Sequence, residues 1–190
     1  MAITASDGTP LLSWRVALLP LMGPEGEALY KEFKLDQPWD GPDNIKLLER
    51  IPAIYRSPFA TVEEGKTTFQ IFSGPDTPFS KSTEGLKMQD FENPGKTFMI
   101  VSVMPEKAIE WTRPDTLTYS EESLSEIFGD FVIAAPVMGE VFTAPFAGSE
   151  DEIKALTNWI YGRVDETEET EEAAPETPVE NPLGEEFPQP

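Results

Sequence analysis

The sequence contains no cysteine and no histidine, and each absence removes a class of chemistry. Without cysteine, the chain can form neither disulfides nor thiolate metal sites, and it has no cysteine nucleophile. Without histidine, it lacks the Ser-His-Asp and Cys-His catalytic arrangements, the usual zinc ligand sets and the commonest acid–base group at neutral pH. Many enzyme mechanisms are therefore excluded by composition alone.

Basic residues are also scarce: 14 Lys and Arg stand against 35 Asp and Glu, a formal net charge of -21. A field of this sign repels phosphate backbones and anionic lipid surfaces, so we expect neither nucleic-acid binding nor direct membrane binding. The apolar run Leu11 to Met22 is interrupted by Ser13, Arg15 and Pro20 and is too short to span a bilayer. No basic leader precedes this run, so the sequence predicts no secretion signal.

The charge and the apolar residues divide the chain in two. Hydrophobic residues make up 39% of the sequence and aromatic residues 11%, which suffices for one core of ordinary size. From Asp165 to Pro190 the chain has ten acids, five prolines and no Lys or Arg. We therefore predict a folded domain over residues 1–164 and a disordered acidic tail over residues 165–190.

Apolar periodicity predicts helices in the first third of the chain. The stretch "GTPLLSWRVALLPLM" alternates like a strand, but Ser13 could also cap a helix that begins at Trp14, and the helix is favoured. Residues 25–33 and residues 45–51 each carry an apolar stripe at helical spacing. The second of these helices is expected to stop before Pro52.

Strand signals dominate from Thr67 onward. "TTFQIFSG" and "KTFMIVSVM" are rich in β-branched and aromatic residues, and "FVIAAPV" with "GEVFTAPF" predicts a hairpin at a sheet edge. Ser149 and the acids after it predict a last helix, from Glu150 to Tyr161. The predicted fold class is α+β, with N-terminal helices packed on an antiparallel β-sheet and a closing C-terminal helix.

Three acids near Trp39 form the sharpest candidate site. Asp36, Asp40 and Asp43 lie close together in "LDQPWDGPDN", and calcium prefers several oxygen ligands of this kind. Their spacing is not that of an EF-hand. The alternative is that Asp40 or Asp43 caps the helix that follows. The sequence leaves calcium binding and capping both open and favours capping.

Catalytic patterns are weak. Two carboxylates at a suitable separation could cleave glycosides, but with 35 acids nothing in the sequence selects a pair. "GKTTFQ" lacks the earlier glycine of a phosphate-binding loop, since Ala60 occupies that position. We therefore expect no enzymatic activity and no cofactor other than possible calcium.

Trp111 and Arg113, in "WTRPD", are candidates for an interaction surface, because Trp and Arg are enriched in binding hot spots. The alternative is structural: Arg113 covers an aromatic ring while Pro114 fixes a turn. The sequence favours the structural alternative.

The ordered segments "LLSWRV", "ALYKEFKLDQPWD", "YRSP" and "PEKAIEWTRP" resemble a family of planctomycete prepilin-like proteins that carry a domain of unknown function. The resemblance covers roughly residues 7–164. It implies a type II secretion pseudopilin-like α+β domain, exported to the periplasmic or extracellular face of the cell envelope. It also implies protein partners in a pilus-like or secretion assembly.

Two features depart from the family pattern. The N-terminal prepilin helix and its cleavage motif are missing, so we expect Met1 to be a boundary or this member to be a shortened, soluble form. Relatives commonly carry His, nine residues, then Asp-Gly; here Phe128 is followed after nine residues by Met138-Gly139. We therefore expect a non-enzymatic structural or interaction domain, the alternative being a calcium- or small-ligand-binding module on the same fold.

Overall fold

The structure is a computed structural model that describes residues 2–74, 76–80, 86–115, 117–120 and 123–163. Helices and antiparallel sheets alternate along these residues, which confirms the α+β class. The predicted tail of residues 165–190 lies outside the described residues. The strands are β1 (Ala2–Thr4), β2 (Pro10–Ser13), β3 (Lys66–Thr67), β4 (Phe69–Gln70), β5 (Phe98–Ser102), β6 (Ile109–Glu110), β7 (Phe131–Pro136) and β8 (Phe142–Pro145). The α-helices are α1 (Trp14–Ala17), α2 (Gly23–Glu32), α3 (Leu124–Phe128) and α4 (Glu150–Tyr161).

The described strands form three antiparallel sheets. β1 pairs with β2, β3 pairs with β6, and the largest sheet has the strand order β4-β5-β7-β8. The first of these pairs was not predicted. β8 lies at one edge of the four-stranded sheet, as the hairpin pattern predicts, and pairs with β7 in the register Phe131↔Pro145.

Both readings of the first apolar stretch are partly right. The alternating residues form β2, and the chain then turns into α1 at Trp14. Ser13 ends the strand and caps the helix, because its Oγ accepts a hydrogen bond from the backbone N–H of Arg15. The buried side chains of Leu12 and Val16 then lie in one core although they belong to different elements.

The predictions for the two remaining N-terminal helices have different outcomes. α2 begins two residues before the predicted start, since Pro24 suits the first turn of a helix. The predicted helix over residues 45–51 is instead a 3-10 helix, Asn44–Arg50. A 3-10 helix has three residues per turn, so Asn44 and Leu47 lie on one face and are buried, whereas Ile45 is 46% exposed.

β5 is the central predicted strand, and apolar neighbours contact both of its faces. A register shift between Phe98 and Ile100 lets Phe98 join Val101 in one cluster of buried side chains. Ile100 packs against a second cluster, which contains the N-terminal helices. Phe98 and Val101 are buried on one face of β5, whereas Ile100 is only partly buried on the other face.

α4 has the predicted bounds, and its N-terminus shows why. The Ser149 hydroxyl is placed to accept from the Glu152 N–H, while the Glu152 carboxylate accepts from the Ser149 N–H at 2.9 Å. Leu156 and Ile160 are buried against the sheet. Gly162, with a φ of 66°, ends the helix in the left-handed region.

The buried side chains thus form two clusters. The N-terminal cluster gathers α1, α2, the 3-10 helix and Trp111, and the C-terminal cluster lies between the four-stranded sheet and helices α3 and α4. Within the described residues, no helix combines the length and apolar character needed to cross a membrane.

Candidate functional site

The loop that carries the three candidate acids is organised by a buried amide. Asn44 is fully buried, and its Nδ2 donates to the carbonyls of Lys34, Gln37 and Pro38 at 2.9, 3.1 and 3.0 Å. Its Oδ1 accepts from the Lys34 N–H at 2.9 Å. These bonds satisfy backbone groups that would otherwise lose their hydrogen bonds on burial. The carbonyl oxygens of these three residues therefore point at Asn44.

The acids themselves lie apart on the surface of that loop. Asp36 and Asp40 are exposed, and Asp43 pairs with Lys46, its Oδ1 lying 3.2 Å from Nζ. Asp43 precedes the 3-10 helix, but its side chain makes no capping hydrogen bond, so the predicted cap by Asp40 or Asp43 is wrong. Among the described residues, no three acidic side chains lie close enough together to hold a metal ion. The structure does not gather Asp36, Asp40 and Asp43 into a calcium site.

Trp111 lies in the core of the N-terminal cluster. Its side chain is 0% exposed, and its indole N–H donates to the Leu48 carbonyl at 3.0 Å. The ring stacks on Tyr55 with centroids 6.0 Å apart and meets Phe33 edge-on at 5.8 Å. In this conformation Trp111 offers no surface to a partner, which corrects its placement in an interaction surface and leaves it a packing residue.

Arg113 remains at the surface and covers a different ring. Its guanidinium carbon lies 5.7 Å from the centroid of Trp39, and Nη1 lies 3.6 Å from Oε2 of Glu110. This arrangement is the ring-covering alternative predicted from the sequence, with Trp39 as the ring. It holds the acidic loop against the segment that follows β6.

A buried ion pair was not predicted from the sequence. Arg15 is fully buried, and its Nη2 lies 2.6 Å from Oδ1 of Asp115, whose side chain is only 2% exposed. The other carboxylate oxygen accepts from the Trp14 indole N–H at 2.6 Å. The sequence feature that could have predicted this pair is Arg15 inside an apolar run, because a fully buried arginine is rare unless it is paired.

The remaining donors of Arg15 bind the backbone and a hydroxyl. Its Nε and Nη2 donate to the Phe69 carbonyl, its Nη1 to Ser13 Oγ at 2.7 Å, and Nη1 also reaches the Arg113 carbonyl at 3.5 Å. One side chain therefore ties together α1, β4 and the segment after β6. The pair is a structural tie because its polar atoms bind other protein groups.

Burial sets the protonation behaviour of this region. Burial raises the pKa of Asp115, while the charge and hydrogen bonds of Arg15 act in the opposite direction. Burial also raises the pKa of Tyr55 to about 12, since the phenolate would be poorly solvated. The Tyr55 hydroxyl donates to the Arg15 carbonyl at 2.9 Å, which adds a further hydrogen bond to the same network.

A groove of about 620 Å³ lies between α2 and the residues after the 3-10 helix. Leu21 and Ile54 stand on its walls with 81% and 66% of their surfaces exposed. Glu25 and Arg50 add one charge of each sign to the lining. A Cβ added at Gly26 would lie 2.3 Å from the Leu19 carbonyl oxygen, so this glycine allows α2 to approach the preceding turn.

The groove could not be read from the sequence, because it joins two segments about thirty residues apart. Chemically, it offers an apolar surface with one flanking charge of each sign, which suits contact with another protein.

Comparison of the chain with protein-family models, with curated proteins and with solved structures finds no match.

Proposed function

We propose that this chain is a non-enzymatic, pseudopilin-like structural domain that contacts neighbouring proteins at the extracytoplasmic face of a cell envelope. The observation that carries the proposal is the groove walled by Leu21 and Ile54, whose side chains are more than half exposed. Large apolar side chains beside a groove are typical of surfaces that another protein covers.

The energetics of this surface support an assembly contact. Burying a leucine or isoleucine completely is worth about 1.5–3 kcal/mol. With 81% and 66% of their surfaces still exposed, Leu21 and Ile54 together would contribute about 3 kcal/mol when covered. Association costs about 4–15 kcal/mol in lost translational and rotational freedom. Leu21 and Ile54 would therefore form the centre of a contact whose surrounding residues supply the remaining stabilisation.

The charged groups support a structural role. The deeply buried pair Arg15–Asp115 uses its polar atoms to bind other groups of the same chain. The net charge of -21 supports protein partners over nucleic acids or anionic membranes. The resemblance to planctomycete prepilin-like proteins supports the envelope location and a pilus-like or secretion assembly.

Site-specific photocrosslinking tests this proposal. A photoreactive residue at position 21 or 54, in the full chain expressed in its own organism, should crosslink to one defined envelope protein or to a second copy. Met138 is the matched control, because it is 64% exposed but belongs to the turn between β7 and β8. The variant Leu21→Asp should abolish the crosslink from position 54.

Two results would overturn the proposal. One is an equal crosslinking pattern from positions 21, 54 and 138, which would indicate random collision. The other is recovery of the chain in the cytoplasmic fraction only, which would remove it from the envelope.

A further inference from the structure

β8 forms one edge of the four-stranded sheet, and one side of it carries no partner strand among the described residues. β7 binds its other side, and just beyond the strand the Phe146 N–H donates to the Asp130 carbonyl at 2.8 Å. Successive residues of an antiparallel strand point their backbone groups to opposite sides. The backbone N–H of Phe146 points toward β7, so the backbone groups of Phe142 and Ala144 do so as well. The N–H and C=O of Thr143 therefore point away from β7.

The side chains of β8 alternate between the two faces of the sheet. Phe142 and Ala144 are half-buried, whereas Thr143 and Pro145 are exposed. A strand added beside β8 would share this alternation, so every second side chain of the added strand would turn toward the α4 face of the sheet.

On that face, a second groove lies between β8 and α4. It has a volume of about 140 Å³, and its walls include Ala144, Leu156 and Trp159. The rings of Phe142 and Trp159 have centroids 5.0 Å apart and form one end of the groove. An apolar cavity of about 150 Å³ holds one benzene ring. The groove therefore accommodates one apolar side chain.

Glu152, which lines this groove, already binds backbone groups of its own chain. Its carboxylate accepts hydrogen bonds from the Ser149 and Ala147 N–H groups and completes the N-terminus of α4. These bonds lower the pKa of Glu152, so it stays ionised at neutral pH. With the Glu152 carboxylate bound to the backbone, the groove offers the apolar walls of Ala144, Leu156 and Trp159 to an incoming side chain.

Charges at the ends of the edge select the sign of the partner. Glu140 precedes β8, and Glu150 and Asp151 begin α4; all three are exposed. Lys154 is the exposed base of that helix. The local excess of acids favours a segment with Lys or Arg and disfavours the chain's own residues 165–190, which contain ten acids and no base.

We propose that β8 binds an extended segment of another protein as an added strand, with one apolar side chain in the groove beside α4 and a Lys or Arg next to it. The outward N–H and C=O of Thr143 supply the backbone hydrogen bonds, and the groove supplies the side-chain preference. This inference rests on the proposed function, an interaction domain, and names the chemistry of one partner.

Selection of displayed random peptides on the full chain, followed by binding measurements with the selected peptide, tests the inference. The selected sequences should share an apolar residue next to Lys or Arg. Thr143→Pro removes the outward N–H and should weaken binding at least tenfold. Thr143→Val keeps that N–H and the side-chain shape, so it should bind like the natural chain.

A second variant keeps the test decisive if Thr143→Pro fails to fold. Ala155→Phe fills the groove from α4 and should also weaken binding at least tenfold, with circular dichroism confirming the fold. In the natural chain, the peptide should slow hydrogen exchange of the Thr143 amide.

Three outcomes would overturn the inference. They are selected peptides that are acidic or lack an apolar residue, equal binding by the natural chain and Thr143→Pro, and self-association of the chain through β8. None of these outcomes changes the crosslinking result expected at positions 21 and 54. This inference can therefore fail while the proposed function stands. Loss of those crosslinks would instead remove the proposed function.

Discussion

Replacing Asp115 by asparagine should cost about 3–5 kcal/mol of unfolding free energy. The change keeps the shape of the side chain but removes the charge that faces Arg15 at 2.6 Å. Arg15 is 0% exposed, so its guanidinium would be left buried without a counter-charge, and breaking a buried pair in this way costs about 3–5 kcal/mol. The new amide has one acceptor oxygen in place of two, so either the Trp14 indole N–H or the Arg15 guanidinium would face an NH2 group and lose its acceptor.

Urea unfolding followed by far-UV circular dichroism measures this cost. Glu32→Gln is the matched control, since Glu32 pairs with Arg50 at side-chain exposures of 48% and 49%. Exposed pairs of this kind contribute about 0–1 kcal/mol, so the control should unfold close to the natural chain.

A double variant separates the ion pair from simple packing loss. Arg15→Met with Asp115→Leu removes both charges, and such replacements are often neutral or stabilising. The double variant should therefore be more stable than Asp115→Asn alone. A loss of less than about 1 kcal/mol for Asp115→Asn would refute the reasoning, because the pair would then behave like an exposed one.

Two further predictions concern ionisation and metal binding. Because the folded pKa of Tyr55 is raised to about 12 from 10.0, its contribution to stability is complete below pH 10 and is lost as the pH rises through 12. Near-ultraviolet titration should show a late phenolate that Tyr55→Phe removes; a titration curve that is unchanged in Tyr55→Phe would contradict this. Calcium should leave Tm unchanged, because Asp36 and Asp40 are exposed and Asp43 pairs with Lys46. A true site at one hundred times its Kd would add about 2.7 kcal/mol, roughly 5–10 °C for a domain of this size, and a shift that Asp40→Asn removes would establish binding.

The elements that local sequence determines were the ones predicted well. α4 was predicted with its true bounds, because Ser149 and Glu152 form a reciprocal cap and Leu156 and Ile160 repeat at helical spacing. The hairpin of β7 and β8 was predicted from two apolar runs around Gly139, whose φ is 90°. In these cases the decisive contacts lie within a few residues of each other.

The features that were missed depend on distant residues. Nothing near Arg15 in the sequence points to Asp115, so the buried pair required the fold. Asn44 follows the three acids in the sequence, and nothing near it predicts that its amide binds carbonyls six, seven and ten residues earlier. The groove walled by Leu21 and Ile54 and the groove beside α4 each join elements that the sequence separates.

The Arg15–Asp115 pair also constrains how the chain acquires its fold. The two residues are 100 positions apart, so the ribosome must add about a hundred residues after Arg15 before its counter-charge exists. Until then the cation of α1 has no counter-charge, and closing the N-terminal cluster over it would bury an unpaired charge. The first third of this protein therefore completes its core only after the second third has been synthesised.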